Sequence, residues 1–128
     1  MLHRDLTQQI INAAKAVYAE LGGGLPVGVY CRALEIELRH DGLAPEAGKS
    51  VKLAYRGHPV GEAVADLCVG AVACTLVAGE EVGADQYVRL RSLLKALELE
   101  VGLLLNFSGA RLDVRRVEAV PKKQEQSA

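Results

Sequence analysis

The stretch 60–78 is apolar along almost its whole length, and it constrains the fold more than any other part of the chain. It divides into two runs, Val60–Val69 and Val72–Ala78, each of which has the length of a β-strand. A strand that is apolar on both faces must be covered on both faces. We therefore expect the two runs to be central strands of a sheet that helices cover.

The remaining segments predict three helices and three more strands. Apolar residues at helical spacing predict helices at about Arg4–Leu21, Val27–His40 and Asp85–Leu99. In the second helix, the residues expected to face inward are Tyr30, Ala33, Leu34, Ile36 and Leu38. Alternating or apolar segments predict strands at Val51–Tyr55, Val101–Phe107 and Leu112–Val120, the last of them at a sheet edge. The order α-α-β-β-β-α-β-β predicts one α/β domain, residues 1–120, with a central mixed β-sheet flanked by helices and a polar tail at 121–128.

Composition narrows the classes of function. Fifteen basic and sixteen acidic residues give a net charge of −1, which argues weakly against binding through a phosphate backbone. Cys31, Cys68 and Cys74 lie in apolar segments without close pairing, which is typical of reduced core thiols in a cytoplasmic protein. No signal peptide or membrane-spanning run is present, so we expect a cytoplasmic location and no membrane partner. The high apolar content for this length predicts a homo-oligomer.

A glycine run and three histidines could indicate a phosphate-binding loop or a catalytic site, but their sequence contexts do not support either function. Gly22-Gly23-Gly24 follows a helix but lacks the preceding strand and the Lys-Ser/Thr of a phosphate-binding loop. A helix cap followed by a tight turn explains it better. The histidines His3, His40 and His58 are scattered, and we expect them at the surface.

The central strands carry too few oxygen ligands for a hydrolytic metal site. Mg²⁺ needs several oxygen ligands, and two-metal cleavage of a phosphodiester needs a cluster of carboxylates. The first run offers Asp66, whereas the second offers a hydroxyl at Thr75 and an aliphatic side chain at Val77. Glu80 and Glu81 follow the second run, but no cation lies two residues after either. No acidic-x-Lys triplet occurs anywhere in the chain.

Two blocks of sequence carry a family resemblance. Gly24-Leu-Pro-Val-Gly-Val-Tyr30 is followed by Cys31-Arg-Ala-Leu-Glu-Ile-Glu-Leu38, and Val101-Gly-Leu-Leu-Leu-Asn-Phe107 comes later, after Ala65-Asp66-Leu67 and Lys95. Together these blocks resemble the GxxExxY family, a set of small proteins with the PD-(D/E)XK nuclease fold. The resemblance runs from the first helix to about Val117. It implies a restriction-endonuclease-like core.

The resemblance also implies which positions once held the catalytic site. The family's motif glutamate falls on Val27, and its strand aspartate falls on Asp66, which is retained. The Glu-x-Lys pair falls on Thr75 and Val77, and a helix glutamine falls on Arg89. We therefore expect a vestigial site, no enzymatic activity, and no metal or cofactor, a residual Mg²⁺ at Asp66 being the weaker alternative. An ion pair between Asp66 and Arg89 is our hypothesis for how that carboxylate is neutralised.

Three functions remain open from the sequence. The first is a catalytically inactive structural or binding module that assembles into a homo-oligomer. The second is a nucleic-acid-binding protein that uses the late cluster of cations: Arg89, Arg91, Lys95, Arg111, Arg115 and Arg116. The third is a weak Mg²⁺-dependent nuclease whose missing ligands come from elsewhere, such as a second subunit. The sequence names no partner, and it does not distinguish a dimer from a ring or a filament.

Overall fold

The computed structural model describes residues 3–79 and 83–119, and it has the predicted order of helices and strands. The helices are α1 (Arg4–Leu21), α2 (Val27–His40) and α3 (Ala84–Leu97). The strands are β1 (Pro45–Tyr55), β2 (His58–Val69), β3 (Val72–Val77), β4 (Val101–Asn106) and β5 (Asp113–Glu118). They form one five-stranded sheet in the order β1-β2-β3-β4-β5, which confirms the mixed α/β fold and the edge position of the last strand. The predicted tail at 121–128 lies outside the described residues.

The sheet separates two layers of helices. β3 and β4 are parallel and are joined through α3, whereas the other neighbouring strands are antiparallel. Helices α1 and α2 pack on one face, over side chains such as Leu67, Cys74 and Leu103. Helix α3 packs on the other face, where Leu90 and Leu93 join a second apolar cluster. β3 is therefore buried from both sides, as its composition predicts.

The glycine run between α1 and α2 docks against the connection that follows β4. The left-handed backbone of Gly22 and Gly24 (φ 74° and 81°) turns the chain, in keeping with the predicted cap and turn. The Gly24 N–H donates to the carbonyl of Phe107 at 3.0 Å. The fully buried Tyr30 secures the loop, because its hydroxyl donates to the carbonyl of Gly22 and accepts from the N–H of Leu25.

Strand β1 is longer than the sequence predicts. It begins at Pro45 rather than Val51, because the polar and small residues 46–50 still pair with β2 although they bury little. The turn after it is also tighter than predicted, with only Arg56 and Gly57 between the strands. Both have positive φ (49° and 80°), which suits a two-residue hairpin turn.

Two burial predictions are wrong. Ile36 is 53% exposed, because the buried face of α2 follows Tyr30, Leu34 and Leu38 and position 36 lies on the opposite side. In β2 only residues 65 and 67–69 are buried, although the predicted apolar run begins at Val60. The outer part of β2 pairs with β1 alone, so no other strand or helix covers it completely.

The outer parts of β1 and β2 form a two-stranded ribbon, residues 49–64. Pairing between β2 and β3 begins only at Leu67, so the ribbon has no third strand beside it. At its base lies Gly48, whose positive φ of 66° is a backbone conformation that glycine adopts without strain. No residue of the ribbon is fully buried.

Candidate active-site cleft

A cavity of about 580 Å³ lies where β2 and β3 separate. Three structures line it: the ribbon, the strand ends at the separation and helix α3. The ribbon contributes Leu53, Ala63 and Val64, and the strands contribute Asp66, Thr75, Leu76 and Val77. Helix α3 contributes Gln86, Val88, Arg89, Ser92, Leu93 and Ala96. We call this cavity the cleft.

Asp66 lies at the point where the two strands part. The β2–β3 ladder ends with the pair Leu67 and Cys74, and Asp66 comes next along β2. Its Oδ2 accepts a hydrogen bond of 3.0 Å from the backbone N–H of Leu76. The carboxylate thereby satisfies a β3 donor that β2 no longer pairs by its own backbone. This bond gives Asp66 a structural role that requires no metal.

Thr75 and Val77 share the cleft with Asp66. Side chains alternate along a strand, so Thr75 and Val77 lie on the same face as Ala73, which packs against α3. Val77 is only 3% exposed and presents an aliphatic wall. Among the described lining residues, Asp66 is the only carboxylate and Arg89 the only cation. Glu80 and Glu81, which follow β3, lie outside the described residues.

The structure gathers four of the five vestigial positions in one place. Asp66, Thr75, Val77 and Arg89 all line the cleft. Val27, the first residue of α2, is exposed and does not line it. Four of the five positions therefore share one cavity, and among its described lining residues Asp66 alone offers a carboxylate of the kind that metal-assisted hydrolysis uses.

The Asp66–Arg89 ion pair stays a prediction. The two side chains line the same cleft, yet the ion pairs among the described residues do not include this one. Asp66 takes its hydrogen bond from Leu76 instead, and Arg89 is exposed on α3 across the cleft.

Most residues of the α3 wall are not among the predicted site residues. Gln86, Arg89 and Ser92 are three residues apart and so fall on one side of the helix, next to the apolar Leu93 and Ala96. This spacing is readable in the sequence. Only the structure, however, shows that this side faces the gap between β2 and β3.

The six cations proposed for nucleic-acid contact do not form one surface. Arg115 is held by Asp113 at 3.2 Å, and Arg116 by Glu118 at 2.9 Å. The hydrogen bond from Arg115 to Asp113, and then the charge of Asp113, raise the pKa of Arg115 above its usual value. Arg89 lines the cleft, while Arg111 lines a separate groove beside α1. Lys95 also interacts with another group, so it is not a free cation. Arg91 is exposed on α3.

The cysteines lie on both sides of the sheet: Cys31 and Cys74 belong to the apolar cluster under α1 and α2, and Cys68 belongs to the cluster under α3. Cys74 is fully buried, and burial is the largest cause that raises the pKa of its thiol. Cys31 is half-buried, and its thiol donates to the backbone carbonyl of Asp66 at 3.5 Å. Burial, followed by the charges of Asp66 and Glu35, raises the pKa of Cys31.

These pKa shifts predict slow thiol chemistry. A raised pKa leaves little thiolate near pH 8, and the thiolate is the species that alkylating reagents attack. We expect native protein to react more slowly with iodoacetamide than urea-unfolded protein by at least about tenfold, with Cys31 modified before Cys74. Peptide mass spectrometry over time measures the order. Early modification of Cys74 would contradict the burial described above.

Glu37, His40 and Asp41 at the end of α2 place their ligand atoms within 4.8 Å of one another. His40 and Asp41 are exposed, as predicted for His40, and none of the three lines the cleft. No further feature of this surface indicates an ion. Among the described residues, no helix is both long and apolar enough to cross a membrane.

Comparisons with known proteins agree with this geometry. The chain matches the family description "PD-(D/E)XK nuclease superfamily" over residues 4–117. The crystal structure of SSO0001 superposes with a TM-score of 0.59 at 13% identity, covering 77% of this chain and 52% of that one. At this identity the likeness shows the fold alone, and the chain spans about half the length of that protein. No curated protein matches the sequence. A family match across nearly the whole chain and a cleft at the family's site positions lead to one conclusion: the chain belongs to the PD-(D/E)XK nuclease superfamily.

Proposed function

We propose that this protein is a non-catalytic member of the superfamily that acts as a structural or binding module and assembles into a homo-oligomer. One observation carries the proposal: Asp66 is the only carboxylate among the described residues of the cleft, and it already bonds the backbone of Leu76. Within the superfamily, the sequence blocks quoted above support membership of the GxxExxY group. The free cysteines support a reducing, cytoplasmic location.

The chemistry of the cleft explains why we favour loss of activity. Metal-assisted hydrolysis uses clustered carboxylates to hold the ion and stabilise the charge that develops on the phosphate. Asp66 with water ligands would hold Mg²⁺ weakly, because this ion needs further carboxylates or phosphate oxygens. Val77 occupies the position of the family's lysine and offers no charge. Arg89 is a cation in the same cleft, but it lies on the helix wall rather than on β3.

The other two functions receive less support. A nucleic-acid binder needs cations that are available to phosphates, whereas Arg115 and Arg116 are engaged by neighbouring carboxylates. A nuclease completed by a second subunit would need that subunit to bring carboxylates to Asp66. The experiment that follows distinguishes this third function from an inactive cleft.

The test compares the native protein with variants that rebuild the ligand set. We expect native protein to show no saturable Mn²⁺ binding by calorimetry below about 1 mM and no Mg²⁺- or Mn²⁺-dependent cleavage of plasmid or single-stranded DNA. T75E adds a second carboxylate beside Asp66 and should tighten Mn²⁺ binding by roughly tenfold or more. T75E/V77K restores the whole pair. D66N/T75E is the matched control, and it should lose the gain.

Circular dichroism of each variant checks that it folds, because Val77 is buried and a lysine there is costly. T75E alone keeps the test informative if the double variant unfolds. Metal-dependent cleavage by native protein that D66N abolishes would overturn the proposal. Cleavage that survives in D66N would instead indicate a contaminating nuclease. That nuclease is removed by further purification, and cleavage by the native protein is then measured again.

A further inference from the structure

The ribbon, residues 49–64, is poorly supported within its own chain. Its two strands pair only with each other, and none of its residues is fully buried. A two-stranded ribbon of this kind is marginally stable in water unless a third layer covers it. No other described strand pairs with the ribbon, and a surface outside the chain can supply such a cover.

The ribbon and the mouth of the cleft carry exposed apolar side chains. Val64 on the ribbon is 57% exposed, and Val88 on α3 is 59% exposed, and both line the cleft. Tyr55 and Val60, farther out on the ribbon, are more exposed still. Large apolar side chains gathered around a cavity mouth mark an interaction surface.

Charge indicates which partner fits. The ribbon carries Lys49, Lys52 and Arg56 against the single carboxylate of Glu62, and Lys49 also lies 3.9 Å from Glu46, just outside the ribbon. The cleft holds the exposed Asp66, which belongs to none of the ion pairs among the described residues, and Arg89 lines the α3 wall of the same cleft. A second copy of the chain supplies both requirements together, an apolar ribbon surface and cations for Asp66.

The arrangement also suits a two-fold axis. In a symmetric dimer each copy uses the same patch, so both halves of the contact must lie side by side on one molecule. The ribbon lines the cleft and meets this condition. The face of each ribbon is about 26 Å long and about 10 Å wide. If each copy contributes this face and the cleft wall that it covers, the dimer buries on the order of 1,000 Å² of accessible surface. This value lies at the lower limit for specific interfaces.

We propose that two copies of this chain form a symmetric dimer in which the ribbon of each copy lies over the cleft of the other. Val60 and Val64 of one copy pack towards Val88 of the other, and Arg56 at the ribbon tip pairs with Asp66. This inference rests on the proposed function, since a cleft that binds no nucleic-acid substrate is free to be covered.

Light scattering after size exclusion tests the dimer on the full chain. We expect a mass twice the monomer's 13.6 kDa. V64E and V88E introduce a charge on opposite walls of the cleft mouth, and each should raise the dimer dissociation constant by roughly a hundredfold or more. I36E is the matched control, because Ile36 is equally exposed but lies on α2. It should leave the dimer intact.

Each outcome decides the question. A monomer at all concentrations up to about 1 mM overturns the dimer and the homo-oligomer of the proposed function, and it leaves the proposed absence of catalysis standing. A dimer that persists in both V64E and V88E, or that I36E alone disrupts, overturns the interface. Thermal unfolding shows whether each variant is folded. If V64E destabilises the ribbon, V88E, which lies on the helix, tests the interface alone. Cleavage by native protein counts against the proposed function separately, because light scattering does not depend on it.

Discussion

Replacement of Tyr30 by alanine is expected to lower the free energy of unfolding by about 3–5 kcal/mol. The Tyr30 ring is fully buried and stacks on Phe107 with centroids 4.3 Å apart. Its hydroxyl donates to the Gly22 carbonyl at 2.7 Å and accepts from the Leu25 N–H at 3.0 Å. The substitution therefore opens a cavity, removes an aromatic pair and leaves two backbone groups of the glycine loop without a partner.

A graded series separates the ring from the hydroxyl. Y30F keeps the ring and should cost about 1–3 kcal/mol, because only the hydrogen bonds are lost. Y18F is the comparison, since Tyr18 makes a single exposed hydrogen bond to the Gly109 carbonyl, and its cost should be about 1 kcal/mol or less. Urea unfolding followed by circular dichroism measures all three. If Y30F is as stable as the native protein, the hydroxyl does not anchor the loop.

The second large effect is expected at Gly23. A Cβ at this position would lie 2.6 Å from the Gly109 carbonyl oxygen and 3.0 Å from that of Phe107. Both obstacles are backbone atoms, so the loop or the β4–β5 connection must move to make room. We expect G23A to destabilise the protein by about 2–3 kcal/mol, at the upper end of overpacking effects.

Gly28 provides the matched control for the same substitution. It lies in the first turn of α2, and a Cβ there would meet nothing within 4 Å. Alanine is the better helix former, so G28A should gain up to about 1 kcal/mol. Differential scanning calorimetry of both variants gives the comparison. Equal melting temperatures for G23A and G28A would show that the loop does not pack as tightly as described.

The sequence predicts the fold well because its strongest signals are periodic. The bounds of α1 and α2 agree with the apolar spacing, and the unbroken apolar run of β3 correctly indicates a strand covered on both faces. Residues 45–50 of β1 escape prediction because backbone pairing with β2, rather than apolar burial, makes them a strand. Ile36 shows the converse, an apolar residue that the helix turns towards solvent.

The site could be predicted in part only. The family resemblance implies that Asp66, Thr75 and Val77 are neighbours in one site, and the structure places all three in the cleft. The partner of Asp66 could not be predicted, because it is a backbone N–H exposed by the separation of two strands. Gly23 is similar: its sequence context indicates a turn, but its tight fit depends on a segment more than eighty residues later.

The parallel pairing of β3 with β4 has a consequence for synthesis of the chain. A ribosome releases α1, α2 and the first three strands before the segment that completes the sheet beside β3. During that interval the most apolar strand of the protein has one unpaired edge, which is the kind of surface that recruits other nascent chains. Translation speed through α3 therefore sets how long that edge stays exposed, and chaperone demand should be concentrated at this stage of elongation.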